Sequence, residues 1–300
     1  MRQAEATVGL QTVWKRRMPW WAEVLVRLVR TKPLGLVGAI ILLIMTFAAI
    51  FAEFITPYGY AEAILTDRFA GYSRAHWLGA DQLGRDVFTR IVYGARISLA
   101  IGFVAVVIAS LVSLLIGVPS AYFGGRTDII LQRLVDAWMA FPGLLILLTV
   151  LSLTGPGLVQ ITVVLGISSG IANSRVIRGV ALSIKENQYI EAARAIGATP
   201  LRIMLAHVVP NTMATVIVLA TIGLGTIILT EASLSFLGYG VPPPRPTWGG
   251  MLSLEGLRYM YEAPWMAIWP GVALSLAVFA FNMFGDALRD LLDPRLRGAG

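Results

Sequence analysis

Long apolar stretches alternate with short polar ones along most of this 300-residue chain. A helix needs about 20 predominantly apolar residues to cross a bilayer. Six stretches meet or approach that length and predict six spans: 34–55, 97–120, 134–153, 157–173, 212–230 and 264–285. The third contains Asp136 and Pro142, and the proline predicts a kink within the span. The fourth is the shortest and most polar, so it reads as a span or as a re-entrant segment. The fold class expected is an all-α membrane protein.

The basic residues between these stretches orient them. Seventeen Lys and Arg fall in the N-terminal segment, the 121–133 and 174–211 loops and the C-terminus, against six in the 56–96 and 237–263 segments when Arg96, at a span boundary, is left out. Cytoplasmic loops carry the excess of positive charge. Both termini and the 174–211 loop are therefore expected inside, and the other two segments outside. The expected organisation is a cytoplasmic N-terminal segment, 1–33, a membrane-spanning unit, 34–290, and a cytoplasmic tail, 291–300. Trp20 to Arg30 is amphipathic, with aromatic residues at one end and Arg on one face, as in a helix lying in the inner interface. Some thirty mixed residues precede the first apolar run, unlike a signal peptide.

Composition supports lipid as the main solvent: 57% of residues are hydrophobic and 14% charged, where soluble domains carry roughly 25% charged. The absence of cysteine removes thiol nucleophiles and Cys metal sites. Two histidines, His76 and His207, form no H-E-x-x-H pair, and there is no G-x-S-x-G turn. None of the three lysines follows a glycine, so the chain has no phosphate-binding P-loop. No catalytic residue, metal site, cofactor or nucleic-acid partner is expected. If ATP drives this protein, the ATPase is another chain. Two carboxylates near span ends, Asp136 and Glu231, are functional candidates because ionisable groups in a bilayer are costly. Each also reads as a cap or as a partner of Arg, with Arg133 one turn from Asp136. Two carboxylates set this far apart do not resemble a proton relay.

The segment from Ser183 to Asn211 is the most informative. Ser183 and Glu186 have capping-box spacing, a helix is predicted from Glu186 to Ile196, and Gly197 stands where helices commonly end. Thr199 and Pro200 predict the start of a second short helix, reaching about His207, and Pro210 precedes the next span. Ala192, Ala193 and Ala195 let another backbone approach closely. Glu191-Ala192-Ala193, with Gly197 four residues on and Pro210 thirteen beyond it, resembles the E-A-A-x-x-x-G motif of binding-protein-dependent ATP-binding-cassette importer permeases. That resemblance implies a coupling helix that sits in a cleft of the ATPase subunit. His207 and Val209 stand where the general pattern has an aliphatic residue and Leu, but His is usual in the peptide-transport branch.

Further stretches are similar to the C-type subunit of dipeptide, oligopeptide and nickel permeases: His76 to Asp86, continuing to Leu99, with Ala80 where Thr is usual; Asp136 with Ala140-Phe141-Pro142; Glu231 to Gly238; and Pro243 to Leu252. The resemblance runs from about Trp20 to Pro294. It implies a six-helix type I importer transmembrane domain in the bacterial inner membrane. The implied partners are a related permease, two cytosolic ATP-binding subunits and an extracytoplasmic solute-binding protein. Peptides are the expected cargo, with nickel chelates, glutathione, sugars or opines as alternatives. Asp81, Gly84, Arg85, Asp86 and Trp248, with Glu231 and Asp136, are candidates for outer-face contact or gating. For Gly79, Asp81 and Gly84 a turn that caps the second span is the competing reading. Trp248 is a poor residue to leave in water, so the 238–250 loop is expected to pack on the bundle. A secondary transporter or channel predicts more intramembrane charge or an internal repeat, and an intramembrane enzyme lacks its residues here.

Overall fold

The computed structural model describes Val26 and residues 28–292. Most of the amphipathic 20–30 stretch and the tail beyond 292 lie outside the described residues. Among those described there is no strand, only an isolated bridge between Ala80 and Asp86. The helices are α1 (Pro33–Ile50), α2 (Val87–Phe123), α3 (Gly125–Met139), α4 (Gly143–Thr154), α5 (Leu158–Lys185), α6 (Gln188–Ala195), α7 (Pro200–Tyr239) and α8 (Trp265–Leu292). Four of them, α1, α2, α7 and α8, are each long and apolar enough to cross a membrane, and α3 with α4 makes a fifth if that bent pair is one span.

α1 starts with Pro33 at its first position, where the missing N–H costs nothing. It lies against α8 through Gly35 and Gly38, at which a Cβ would run into Ala287 and the Ala280 carbonyl. Leu28, just before it, packs with Ala287 and Leu291. α2 has 37 residues and, at 1.5 Å per residue, is about 55 Å long. It begins ten residues before the predicted second span, because Asp86 caps it: its carboxylate accepts from the Thr89 N–H at 2.7 Å.

The polar fourth stretch is one straight element, α5, running from Leu158 to Lys185. Its composition follows from its position. Gly166, Gly170 and Ser174 recur every four residues on the face against α2, and a Cβ at either glycine would meet the Ala105 or Ala109 carbonyl at 2.8 Å. Small residues at this spacing let two helices in lipid approach to backbone contact.

Three expectations are corrected. At Pro142 the expected kink is a full break, across which α3 and α4 meet at 86°. Pro142 is the N-cap of α4, and the residue before a proline is pushed out of the helical region. Ser183 and Glu186 do not form a capping box, because α5 continues through Ser183 and ends at Lys185; Asn187 precedes α6. The predicted short helix at 200–207 is not separate from the next span. Pro200 starts α7, which passes through Pro210 without a break. Residues 204–208 wind as a π-helix, the Val209 N–H bonding the Met204 carbonyl five residues back. This wider turn accommodates a proline that has no N–H to give and would crowd a carbonyl four residues back.

The main core joins α2, α4, α5, α7 and α8 around Leu99, Ile101, Leu151, Ile161 and Ile228. A second cluster at the other end of α2 joins Val118, Tyr122, Ile177, Ile190, Ile203 and Val208. Large apolar side chains such as Leu43, Phe47, Leu115 and Phe279 project outward from the helices, as expected where lipid or a partner helix is the neighbour.

Candidate functional site

The two ends of the bundle carry the sequence-predicted residues. At one end α6 lies across the ends of α2, α5 and α7. Its termination is a Schellman motif: the Ala198 N–H bonds the Ala193 carbonyl at 3.0 Å and the Gly197 N–H bonds the Arg194 carbonyl at 3.0 Å. Gly197 sits at φ +83° with open space where a side chain would start. Thr199 then caps α7 through the Arg202 N–H. α6 splits by face. Ile190 and Ala193 are buried against the bundle, whereas Glu191, Ala192 and Ala195 are exposed. Ile196, Leu201 and Leu205 add an apolar margin, with Ile196 86% exposed. His207 is half-buried with its ring 6.3 Å from that of Tyr189, and the Asn211 amide donates to its carbonyl at 2.6 Å.

Two contacts that hold α6 and the helix leading into it had no sequence signal. The Arg194 guanidinium lies 5.3 Å from the centre of the Tyr122 ring, tying α6 to the last turn of α2. Next to it, Asp128 of α3 receives Arg178 Nε at 2.6 Å and Nη2 at 2.5 Å, and the Ser120 hydroxyl also donates to it. α5, which leads directly into α6, is thereby fixed to α3 by a two-pronged ion pair.

At the other end, 56–86 and 240–264 form a cap over the start of α2. Asp81 is 3% exposed and accepts from the Leu83 and Arg85 N–H groups at 2.8 and 2.9 Å and from Arg85 Nε at 2.6 Å. Arg85 reaches on to Glu255, 170 residues away, at 3.1 Å. Arg90 stands 3.6 Å from both Asp81 and Glu255. Gly84, at φ +71°, leaves no room for a side chain: a Cβ would lie 1.8 Å from the Ile64 carbonyl oxygen. Asp86 accepts from Thr89 with one oxygen and faces His76 Nδ1 at 3.0 Å with the other, while His76 Nε2 faces Asp67 at 3.2 Å. Burial opposes charge on this imidazole, but hydrogen bonds and attraction from Asp86 and Asp67 outweigh it and raise its pKa above 6.5. Asp81, Arg85 and Asp86 are thus buried members of a folded cap, and the surface around them is offered by neighbours such as Trp77 and Tyr261.

Trp248 is fully buried, and its indole N–H donates to the Ile91 carbonyl at 3.1 Å. The 238–250 loop therefore does pack on α2. Thr247 caps the turn at Trp248 by accepting from the Gly250 N–H. Glu231, about two turns before this loop in α7, is buried and accepts from the Ser235 hydroxyl at 2.8 Å. Asp136 is half-buried and pairs with Arg133 at 3.4 Å and with Arg175 of α5.

Comparison with known proteins decides the family. Residues 111–298 match the model of the binding-protein-dependent transport system inner membrane component, and residues 19–73 match the N-terminal TM domain of oligopeptide transport permease C. The chain belongs to this family of transport permeases. Within the family it is 40% identical over 277 residues to the dipeptide transport system permease protein DppC of Alkalihalophilus pseudofirmus, covering 92% of this chain and 90% of that one. It is also 40% identical over 286 residues to the glutathione transport system permease protein GsiD of Escherichia coli, covering 94% and 92%. The fold is similar to that of a chain in inward-facing structures of the MetNI methionine ABC transporter, with a TM-score of 0.55 over 68% of this chain and 96% of that one, at 22% identity. α6 carries Glu191-Ala192-Ala193, and the multi-pass membrane character read from the apolar spans follows from this family membership.

Proposed function

We propose that this chain is a non-catalytic, membrane-spanning subunit of an ATP-driven importer of the bacterial inner membrane. It pairs with a related permease to form the path for di- or oligopeptides. An extracytoplasmic binding protein delivers the peptide, and two separate ATP-binding subunits drive the cycle. The observation that carries this reading is the 40% identity, over more than nine-tenths of each chain, to permeases named for a dipeptide and for glutathione, itself a tripeptide. In this reading α6 and the surrounding 183–211 loop couple the ATPase to the path. Glu191, Ala192, Ala195 and Ile196 face the ATPase, while Ala193, Gly197, His207 and Pro210 set the shape of the loop. The 34–290 unit crosses the membrane six times, with the α3–α4 pair and α5 each counted as a crossing and both termini cytoplasmic. The cap formed by 56–86 and 240–264 then faces outward, towards the binding protein.

Two measurements test this. Vesicles holding both permeases and both ATPases, supplied with the binding protein, are expected to accumulate a labelled dipeptide only when ATP is inside with the ATPases. Uptake without ATP, or none with any small peptide, refutes the reading. The chain has no cysteine, so single cysteines report sidedness cleanly. Cysteine at Tyr261 is expected to react with an impermeant reagent in intact cells, and cysteine at Ala192 only after permeabilisation. The reverse pattern overturns the orientation.

A further inference from the structure

A cavity of about 320 Å³ opens in the cap beside the start of α2. That lies at the small end of ligand pockets, roughly 300–1,000 Å³. Arg90 lines it, together with Ser235, Thr247 and Ser253, and one wall is the proline-rich 241–246 segment carrying Arg245. Nothing in the fold accounts for Arg90 as Arg85 is accounted for. Arg85 takes both nearby carboxylates at hydrogen-bond length, Asp81 at 2.6 Å and Glu255 at 3.1 Å. Arg90 is only 3.6 Å from each, beyond hydrogen-bond length. Its Nη1 is buried and has no acceptor.

A guanidinium cannot shed its proton to escape burial. An unmet donor on a buried cation is costly, and the cost is recovered only when an acceptor arrives. Arg245, exposed on the cavity wall and engaged in no ion pair among the described residues, adds a second positive charge against the single Glu255 in the lining. With Nε turned to Asp81 and Nη2 to Glu255, Nη1 is the donor left for one oxygen of an anion, a single charge-assisted hydrogen bond. The geometry points to a carboxylate-binding site: the cavity receives the terminal carboxylate of the transported peptide, with Arg90 as its principal ligand and Arg245 drawing it in. This rests on the peptide-importer reading above and adds to it a contact by which the permease itself senses its cargo.

The test uses the complete importer in nanodiscs with a single cysteine at Pro242, an exposed residue of the cavity wall. The rate of maleimide labelling is followed with acetate, dialanine or dialanine C-terminal amide, with no binding protein present. Acetate and dialanine are expected to slow labelling, and the amide to leave it unchanged. Adding Arg90→Gln is expected to raise the concentration for half-protection about tenfold or more, the loss of a charge-assisted hydrogen bond. Arg90→Lys, which keeps the charge without the guanidinium, is expected to fall between. ATPase stimulation by liganded binding protein reports that each variant is folded and assembled. Equal protection by the amide, no protection, or protection unaltered in an assembled Arg90→Gln complex overturns the site. Protection that requires the binding protein and appears equally with its empty form assigns the cavity to docking and also overturns it. Dialanine uptake by the same complex with binding protein separates the two claims: uptake without protection refutes the site alone, and protection without uptake refutes the cargo reading alone.

Discussion

The two ends of this bundle are built on opposite plans. The cap over the start of α2 holds its charged residues inside: Asp81, Arg85, Asp86 and His76 are each almost fully buried and bonded to one another or to backbone. The α6 end keeps its signature residues outside, with Glu191 and Ala192 exposed and one apolar face resting on the bundle. An ionic network bonded largely within itself holds a shape, with the unmet Arg90 donor as its exception. An exposed helix with an apolar margin is unfinished, and a second protein completes it. The difference predicts that damage to the cap is felt as lost folding, and damage to α6 as lost coupling in a protein that still folds.

One glycine from each end makes the sharpest test. Gly84→Val would place a Cβ 1.8 Å from the Ile64 carbonyl oxygen at φ +71°. Backbone must move, so the cost lies well above the ~1–2 kcal/mol of a left-handed backbone alone. We expect the mature permease to fall to a trace of the parental level in membranes, measured by immunoblot and by thermal stability in detergent. Gly197→Val meets open space at φ +83° and bears only that backbone cost. It is expected to insert and assemble. If Gly197→Val is lost from the membrane as thoroughly as Gly84→Val, the two ends are not built differently.

Next in size is the effect on transport at the α6 end. Gly197→Val misdirects the start of α7 relative to α6, and Glu191→Lys reverses an exposed charge on the face proposed to meet the ATPase. Both variants are expected to lower dipeptide uptake in reconstituted vesicles about tenfold or more, as a loss of at least ~1.4 kcal/mol of coupling would do. Assembly of the two permeases is expected to be unchanged by size-exclusion chromatography. ATPase activity separates two routes: it falls if the ATPase docks loosely and persists if hydrolysis has become uncoupled. Uptake at the parental rate in both removes α6 as the coupling element.

How much of this was legible in the sequence varies with the range of the interactions. The apolar spans, the Gly197 turn and the Thr199–Pro200 helix start are set by neighbours within a few residues. The two prolines show where local reading stops. Pro142 and Pro210 both sit in apolar helical surroundings, yet one marks an 86° break and the other lies in an unbroken helix. The outcome depends on whether a π-turn can rehouse the displaced carbonyls, which no local pattern displays. The Ser183–Glu186 spacing misled because α5 is held to α2 past that point by packing. In the cap, Arg85 and Glu255 are 170 residues apart and His76 and Asp86 ten apart without periodicity. Their pairing was invisible until the fold brought them together.

The smallest expected effect concerns pH and the cap alone. His76 lies between Asp86 and Asp67, at 3.0 and 3.2 Å. When protonated it donates to both carboxylates. When neutral it donates to one and turns a lone pair towards the other. Burial disfavours its charge, but the two carboxylates prevail and its folded pKa lies above 6.5. A group whose pKa rises on folding stabilises the fold fully below its unfolded value, and that contribution is lost as pH increases through the folded one. The cap is therefore expected to be tightest in mildly acidic medium and to loosen as pH rises from about 6.5. Hydrogen exchange of the amides in 57–86 reads this directly once the intrinsic pH dependence of exchange is removed. Protection is expected to fall over that range in the parental protein and to stay flat in His76→Gln, which donates through its amide at every pH. The α6 end, where no such pair of carboxylates flanks His207, serves as the internal reference. A fall in protection of equal size there, or one that survives His76→Gln, would place the pH sensitivity elsewhere in the molecule.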